Sequence, residues 1–117
     1  MGSRTHISPS RRTSVYYMFD GHCAYCGKEL KMSEMEVDHI VPYIETRNND
    51  LSNLFPSCVC CNVNKSTLSI DKFRTLIYNR VIQKKGKLSQ IEFYANQSSP
   101  IKFYYETIKG KSEQYGN

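Results

Sequence analysis

Two Cys-x2-Cys pairs, Cys23 with Cys26 and Cys58 with Cys61, set the strongest constraint on what this chain can fold into. Each pair supplies two thiolates from one tight turn, and the 31 residues between them (27–57) can fold back so that four sulfurs converge tetrahedrally on one ion. Four cysteines leave no open coordination position, so the expected metal is a structural Zn2+. Cys60 abuts Cys61 and cannot share the two-residue turn; it reads as a small apolar contact or an exposed thiol. The opening residues 1–14 are polar and lack the apolar run of a signal peptide. Zinc in a reducing, cytoplasmic setting is therefore expected in preference to a disulfide framework.

With 117 residues, the chain has room for one domain with a modest core. Sixteen Lys and Arg against eleven Asp and Glu leave a net charge of +5, which favours a polyanionic partner without requiring one. No stretch has the length and apolarity of a membrane-spanning helix. Residues 1–14 read as a flexible basic arm in which Arg11 and Arg12 are candidate phosphate contacts, and Val15 to Phe19 as a helix or a short strand. Met35 to Val41 reads as a strand ending at Pro42, because proline removes a ladder donor. Leu51 to Phe55 reads as the returning arm, separated from Cys58 by Pro56 and Ser57, and Val59 to Ser66 as a short helix.

The pattern is clearest further on. Ile70, Phe73, Ile77 and Val81 recur at helical spacing behind Ser69, which can cap them, and Gly86 after Lys84-Lys85 can terminate the helix. Leu88 to Ala95 reads as another short helix, Ile101 to Ile108 as helix or strand, and residues 109–117 as frayed. The expected organisation is a basic arm (1–14), a central module (15–68) and a helical C-terminal extension packed on it (69–117).

Between the cysteine pairs lie Glu36-Val37-Asp38-His39-Ile40-Val41-Pro42 and Ser52-Asn53-Leu54, and Asn62-x2-Lys65 follows the last cysteine. In type, order and spacing these residues resemble the HNH endonuclease family, in its ββα-metal fold with a four-cysteine zinc site. The resemblance implies an α+β chain: a small ββα-metal module stapled by zinc, with added C-terminal helices. It implies a DNA endonuclease in which His39 is the general base, Asp38 and Asn62 hold a catalytic Mg2+ or Mn2+, and Asn53 ties down the loop bearing the base. Lys65 and Arg47 then join Arg11 and Arg12 as nucleic-acid contacts. His6 and His22 have no such support and read as surface residues.

The family implies double-stranded DNA as substrate, a phage or bacterial setting, and 5′-phosphate and 3′-hydroxyl products. One site attacks one strand at a time, so a double-strand break requires a homodimer, successive nicks or a protein partner. The alternative is a non-catalytic zinc-knuckle protein that binds nucleic acid. Asp38, His39 and Asn62 argue against it, because a zinc scaffold needs none of them.

Overall fold

The computed structural model describes residues 7–108. Ser8 begins the first helix, α1 (Pro9–Met18): its hydroxyl accepts from the Arg11 backbone N–H, and Pro9 occupies a first-turn position where its missing N–H costs nothing. Residues 9–14, expected in the flexible arm, are thus the start of a helix, while residues 1–6 lie outside the described part of the chain. Buried Val15 and Phe19 anchor α1 against the second strand.

The two strands are β1 (Glu36–His39) and β2 (Leu54–Ser57), antiparallel, with Asp38 opposite Phe55 and His39 opposite Leu54. Leu51–Asn53 forms a 3-10 turn, so the returning arm starts and ends later than its sequence pattern suggests, and Pro56 and Ser57 lie inside the strand. A two-stranded ladder has open outer edges, where a proline is tolerated; there the Pro56 carbonyl accepts from the Ala24 N–H at 2.8 Å. A four-residue helix, α2 (Tyr43–Thr46), crosses the connection between the strands. The helix α3 (Val59–Lys65) follows β2 directly and completes a β-β-α unit.

The longest helix, α4 (Ile70–Gln83), buries Phe73 and Ile77 and is capped by Ser69 as expected. It ends earlier than the glycine at 86 suggested. Lys84 takes the left-handed conformation (φ 55°) and its N–H bonds the Arg80 and Val81 carbonyls, while Gly86 serves the next turn. Leu88 to Ala95 divides into a 3-10 turn at Lys87–Gln90 and α5 (Glu92–Ala95). Within Ile101 to Ile108 the regular part is α6 (Tyr104–Thr107), and residues 109–117 lie outside the described chain.

The core that joins these pieces is aromatic. Tyr25, inside the first cysteine pair, meets Phe55, Phe73 and Phe103 edge to face at ring separations of 5.1–5.8 Å. Each such buried ring contributes about 1.5–3 kcal/mol from removed apolar area alone. The Tyr104 and Tyr105 N–H groups bond the Tyr25 and Ala24 carbonyls, so the start of α6 is pinned to the backbone of the first cysteine turn.

Candidate active site and metal centre

The first cysteine turn is closed by backbone bonds from Cys23 N–H to Lys28 O (2.8 Å) and Gly27 N–H to Cys23 O (2.9 Å). Gly27 has φ +78°, and a Cβ there would lie 2.7 Å from the Tyr104 ring, so both conformation and space require glycine. The second pair is built into a helix start: Cys58 caps α3, its sulfur accepting from the Cys61 N–H. The Cys26 N–H similarly reaches Cys23 Sγ at 3.4 Å. Backbone donors of this kind favour thiolate over thiol.

All four sulfurs are buried and lie within 4.8 Å of one another. A tetrahedral zinc with Zn–S of about 2.3 Å requires sulfurs about 3.8 Å apart, and Cys26 and Cys58 stand at 3.8 Å. The Cys58 thiol is pushed strongly down, first by its hydrogen bond from Cys23 and then by those from Cys26 and Cys61. Cys26 and Cys61 are pushed the other way, in each case first by hydrogen bonding with Cys23, so the case for zinc rests on the four-sulfur donor set and its spacing, which fit a structural ion. From α5 the buried Tyr94 hydroxyl approaches Cys61 Sγ at 3.1 Å. Cys60 lies outside the cluster, half-buried, with the Asn64 amide 3.7 Å from its sulfur.

Between β1, α2 and α3 is a cleft of about 270 Å3 whose lining includes Asp38, His39, Pro42, Tyr43, Asn62 and Ser66. Side chains of adjacent residues alternate along a regular strand, yet Asp38 and His39 both reach this cleft. The ladder is regular through His39 and gives way just after it, where the backbone passes to Asn53. The Ile40 N–H bonds Asn53 O, the Val41 N–H bonds Asn53 Oδ1, and Asn53 Nδ2 donates to the carbonyls of Val41 and Asn48. Pro42 begins α2 and does not itself bend the strand. Asn62 follows the zinc-cluster residue Cys61 by one position, so the metal turn fixes the helix that carries it.

Asp38 is 3% exposed and its carboxylate is shared. The Tyr25 hydroxyl donates to Oδ2, and Lys65 Nζ lies 3.3 Å from each carboxylate oxygen. Burial pushes the Asp38 carboxyl up, outweighing the opposite pulls of the Lys65 charge and the Tyr25 hydrogen bond. Lys65, expected on the solvent side as a phosphate contact, is instead fully buried, and its ammonium also donates to His39 O at 3.0 Å. The reason is directional: a helical side chain leans toward the preceding turn, which from Lys65 leads under the hairpin.

Arg11, exposed, and Arg12, half-buried, are tied to backbone carbonyls elsewhere in the fold. Arg11 donates to Asn49 O at 2.6 Å, and Arg12 to Met32 O and Met35 O at 2.8 and 2.7 Å. Arg47 remains exposed beside the cleft, its guanidinium 5.9 Å from the centre of the Tyr43 ring. His22 stacks on Tyr104 with Nδ1 near Phe19 O, a structural placement; His6 lies outside the described residues. Two neighbours of the cleft residues carried no recognisable signal in the sequence. Tyr25 reads there only as a filler of the first cysteine turn, and Asn49 as one polar residue in a polar loop. Asn49 Oδ1 is 2.6 Å from His39 Nε2.

Residues 23–68 match the family model described as HNH endonuclease. No curated protein sequence matches the chain. Among solved structures the chain is similar to the crystal structure of the Type II-C Cas9 enzyme from Actinomyces naeslundii, with a TM-score of 0.53 and 20% sequence identity. The likeness covers 80% of this chain and 14% of that one. At this identity it is a likeness of fold, and the chain spans a small fraction of the length of that enzyme. Family match, β-β-α unit and buried four-sulfur cluster coincide in one stretch of sequence: residues 23–68 carry the HNH endonuclease match together with a four-cysteine metal site.

Proposed function

We propose that the protein is a metal-dependent endonuclease that hydrolyses phosphodiester bonds in double-stranded DNA, leaving 5′-phosphate and 3′-hydroxyl ends. One observation carries this reading: His39, Asp38 and Asn62 line a single cleft. Phosphodiester hydrolysis needs a water made more basic, and a half-buried imidazole suits that task because it accepts a proton near neutral pH. Asn53 and Lys65 hold the backbone on either side of the base, through Ile40 and Val41 and through His39 O.

The side-chain oxygens of Asp38 and Asn62 are hard donors of the type that holds Mg2+ or Mn2+. A carboxylate has about four lone-pair directions, so Asp38 retains acceptor capacity beside Tyr25 and Lys65. When bound, such an ion offsets charge on the scissile phosphate and the departing 3′ oxygen. Arg47, exposed at the rim, is placed to meet a neighbouring phosphate, a contact that positions DNA without reading its sequence.

The test is plasmid nicking by zinc-loaded protein with and without Mg2+ or Mn2+, comparing the native chain with His39→Ala at equal zinc content. Ion-dependent nicking by the native chain that disappears in the variant is expected. Equal cleavage by the two proteins would sink the reading, and salt-sensitive DNA binding with no cleavage would favour a binding module.

A further inference from the structure

The imidazole of His39 is held by a residue that the family assignment does not single out. We infer that Asn49 is a positioning residue for the proposed base: it accepts a hydrogen bond from His39 Nε2 and so leaves Nδ1 as the nitrogen that takes the proton from water. This rests on the endonuclease reading given above.

Three observations carry it. The Asn49 Oδ1 to His39 Nε2 distance is 2.6 Å, a full hydrogen bond. With the amide oxygen turned to the ring, as here, the contact is a hydrogen bond when Nε2 carries the proton, and in a neutral ring the lone pair then resides on Nδ1. The loop around residue 49 is braced from both sides. Arg11 Nη1 donates to the Asn49 carbonyl at 2.6 Å, and Asn53 Nδ2 donates to the Asn48 carbonyl at 3.0 Å. Asp50 adds two bonds that close the turn, its N–H to Asn48 Oδ1 and its carbonyl from the Asn53 N–H, both at 2.8 Å.

The third observation is the ring's other neighbour. Tyr43 packs edge-on against the imidazole at 5.4 Å between ring centres, so rotation about χ2 is resisted by a neighbouring ring as well as by the hydrogen bond. Base geometry is then preorganised before substrate arrives, which is where an orienting residue has its effect. The choice of an amide is also chemically sensible. A carboxylate at this place would favour the imidazolium, whereas a neutral acceptor fixes the tautomer without stabilising the charged ring.

The experiment compares zinc-loaded native protein with Asn49→Leu, similar in size but unable to accept, and Asn49→Asp, which keeps an acceptor. Ring 15N signals of His39 are recorded at a pH where the imidazole is neutral, and plasmid nicking is measured in parallel. The native ring should show Nε2 protonated and Nδ1 bare. Asn49→Leu should lose that preference and nick on the order of tenfold more slowly, the value of one hydrogen bond of about 1.4 kcal/mol, with KM and zinc content unchanged. Asn49→Asp should retain the native tautomer. A native ring protonated on Nδ1, or an Asn49→Leu protein with native ring signals or native kcat, would overturn the assignment. If His39→Ala nicks as well as the native protein, the base reading falls along with the catalytic role of Asn49. The ring signals still decide whether the contact itself exists, so the two failures are distinguishable.

Discussion

Replacing Lys65 by Met separates the two roles this residue can have. In the structure the ammonium is fully buried, 3.3 Å from both oxygens of a carboxylate that is itself 3% exposed. Removing one member of a buried pair leaves the other charge desolvated and uncompensated, at about 3–5 kcal/mol. Urea unfolding of the zinc-loaded protein should then shift its midpoint down by roughly 2 M, taking a slope of about 2 kcal/mol per molar. The double variant Asp38→Asn/Lys65→Met should recover much of the loss, since no charge is left unpaired. The deficit should also depend on pH. Without Lys65 the carboxyl, already pushed up by burial, rises further above its unfolded value of about 3.9. A carboxyl whose folded pKa is raised holds its proton more tightly in the folded state, so its ionisation weakens folding as pH climbs past the unfolded value. The Lys65→Met deficit should therefore be larger at pH about 8 than at about 4. The competing account makes Lys65 a surface phosphate contact. It predicts stability within about 0.5 kcal/mol of native and a salt dependence of DNA binding lower by about one phosphate. That pair of results would refute the buried-pair argument.

Two further outcomes follow from single side chains. Asn53→Ala removes the acceptor for the Val41 N–H and the donor to the Val41 and Asn48 carbonyls; it should cost about 1–3 kcal/mol in urea unfolding and lower kcat for nicking while zinc stays bound. Native activity in this variant would show that the loop needs no tie. Tyr94→Phe deletes only the hydroxyl beside Cys61 Sγ and should weaken zinc about 10–100-fold in competition with a chromophoric chelator; unchanged affinity would remove α5 from the metal site.

What the sequence made legible was local. The cysteine turns follow from a two-residue spacing, and the cap and apolar stripe of α4 from a 3.6-residue period, so both can be read without knowing what lies across the fold. The end of α4 was less legible, because the stop depends on Lys84 adopting a left-handed conformation that its side chain does not advertise, with Gly86 a conspicuous decoy two residues on. Lys65 was misread for a different reason, and the bonds that Arg11 and Arg12 make to distant parts of the chain were missed on the same ground. Their acceptors are carbonyls and a carboxylate 20 to 38 positions away, so nothing adjacent in sequence distinguishes them from solvated cations. Asn49 has the same problem in reverse: its partner is ten residues back, across a loop whose closure only the folded chain provides.

These long-range partners place the burden of precision on the frame around the cleft more than on the cleft itself. Asn62 is one residue from Cys61, and Lys65 is three residues beyond Asn62, so whatever fixes the cysteine turn fixes both the proposed ion-binding amide and the cation under Asp38. Tyr25 lies inside the other cysteine pair and donates to the same carboxylate. Asp38 is thus held by Tyr25 inside one metal turn and by Lys65 at the end of the helix that starts at the other, while the His39 ring is held from the loop side by Asn49, itself braced by Arg11; only the His39 carbonyl is shared with Lys65. Loss of the metal should consequently disturb Asp38 and Asn62 before His39, because coordination and folding are coupled at the turns that hold them. A chain of this size has a limited core with which to hold four polar groups near their working positions. Stapling the helix that bears Asn62 and Lys65 with thiolates, tying Asp38 to the other cysteine turn through Tyr25, and bracing the loop beside His39 from α1 through Arg11 is a physical solution to that limit.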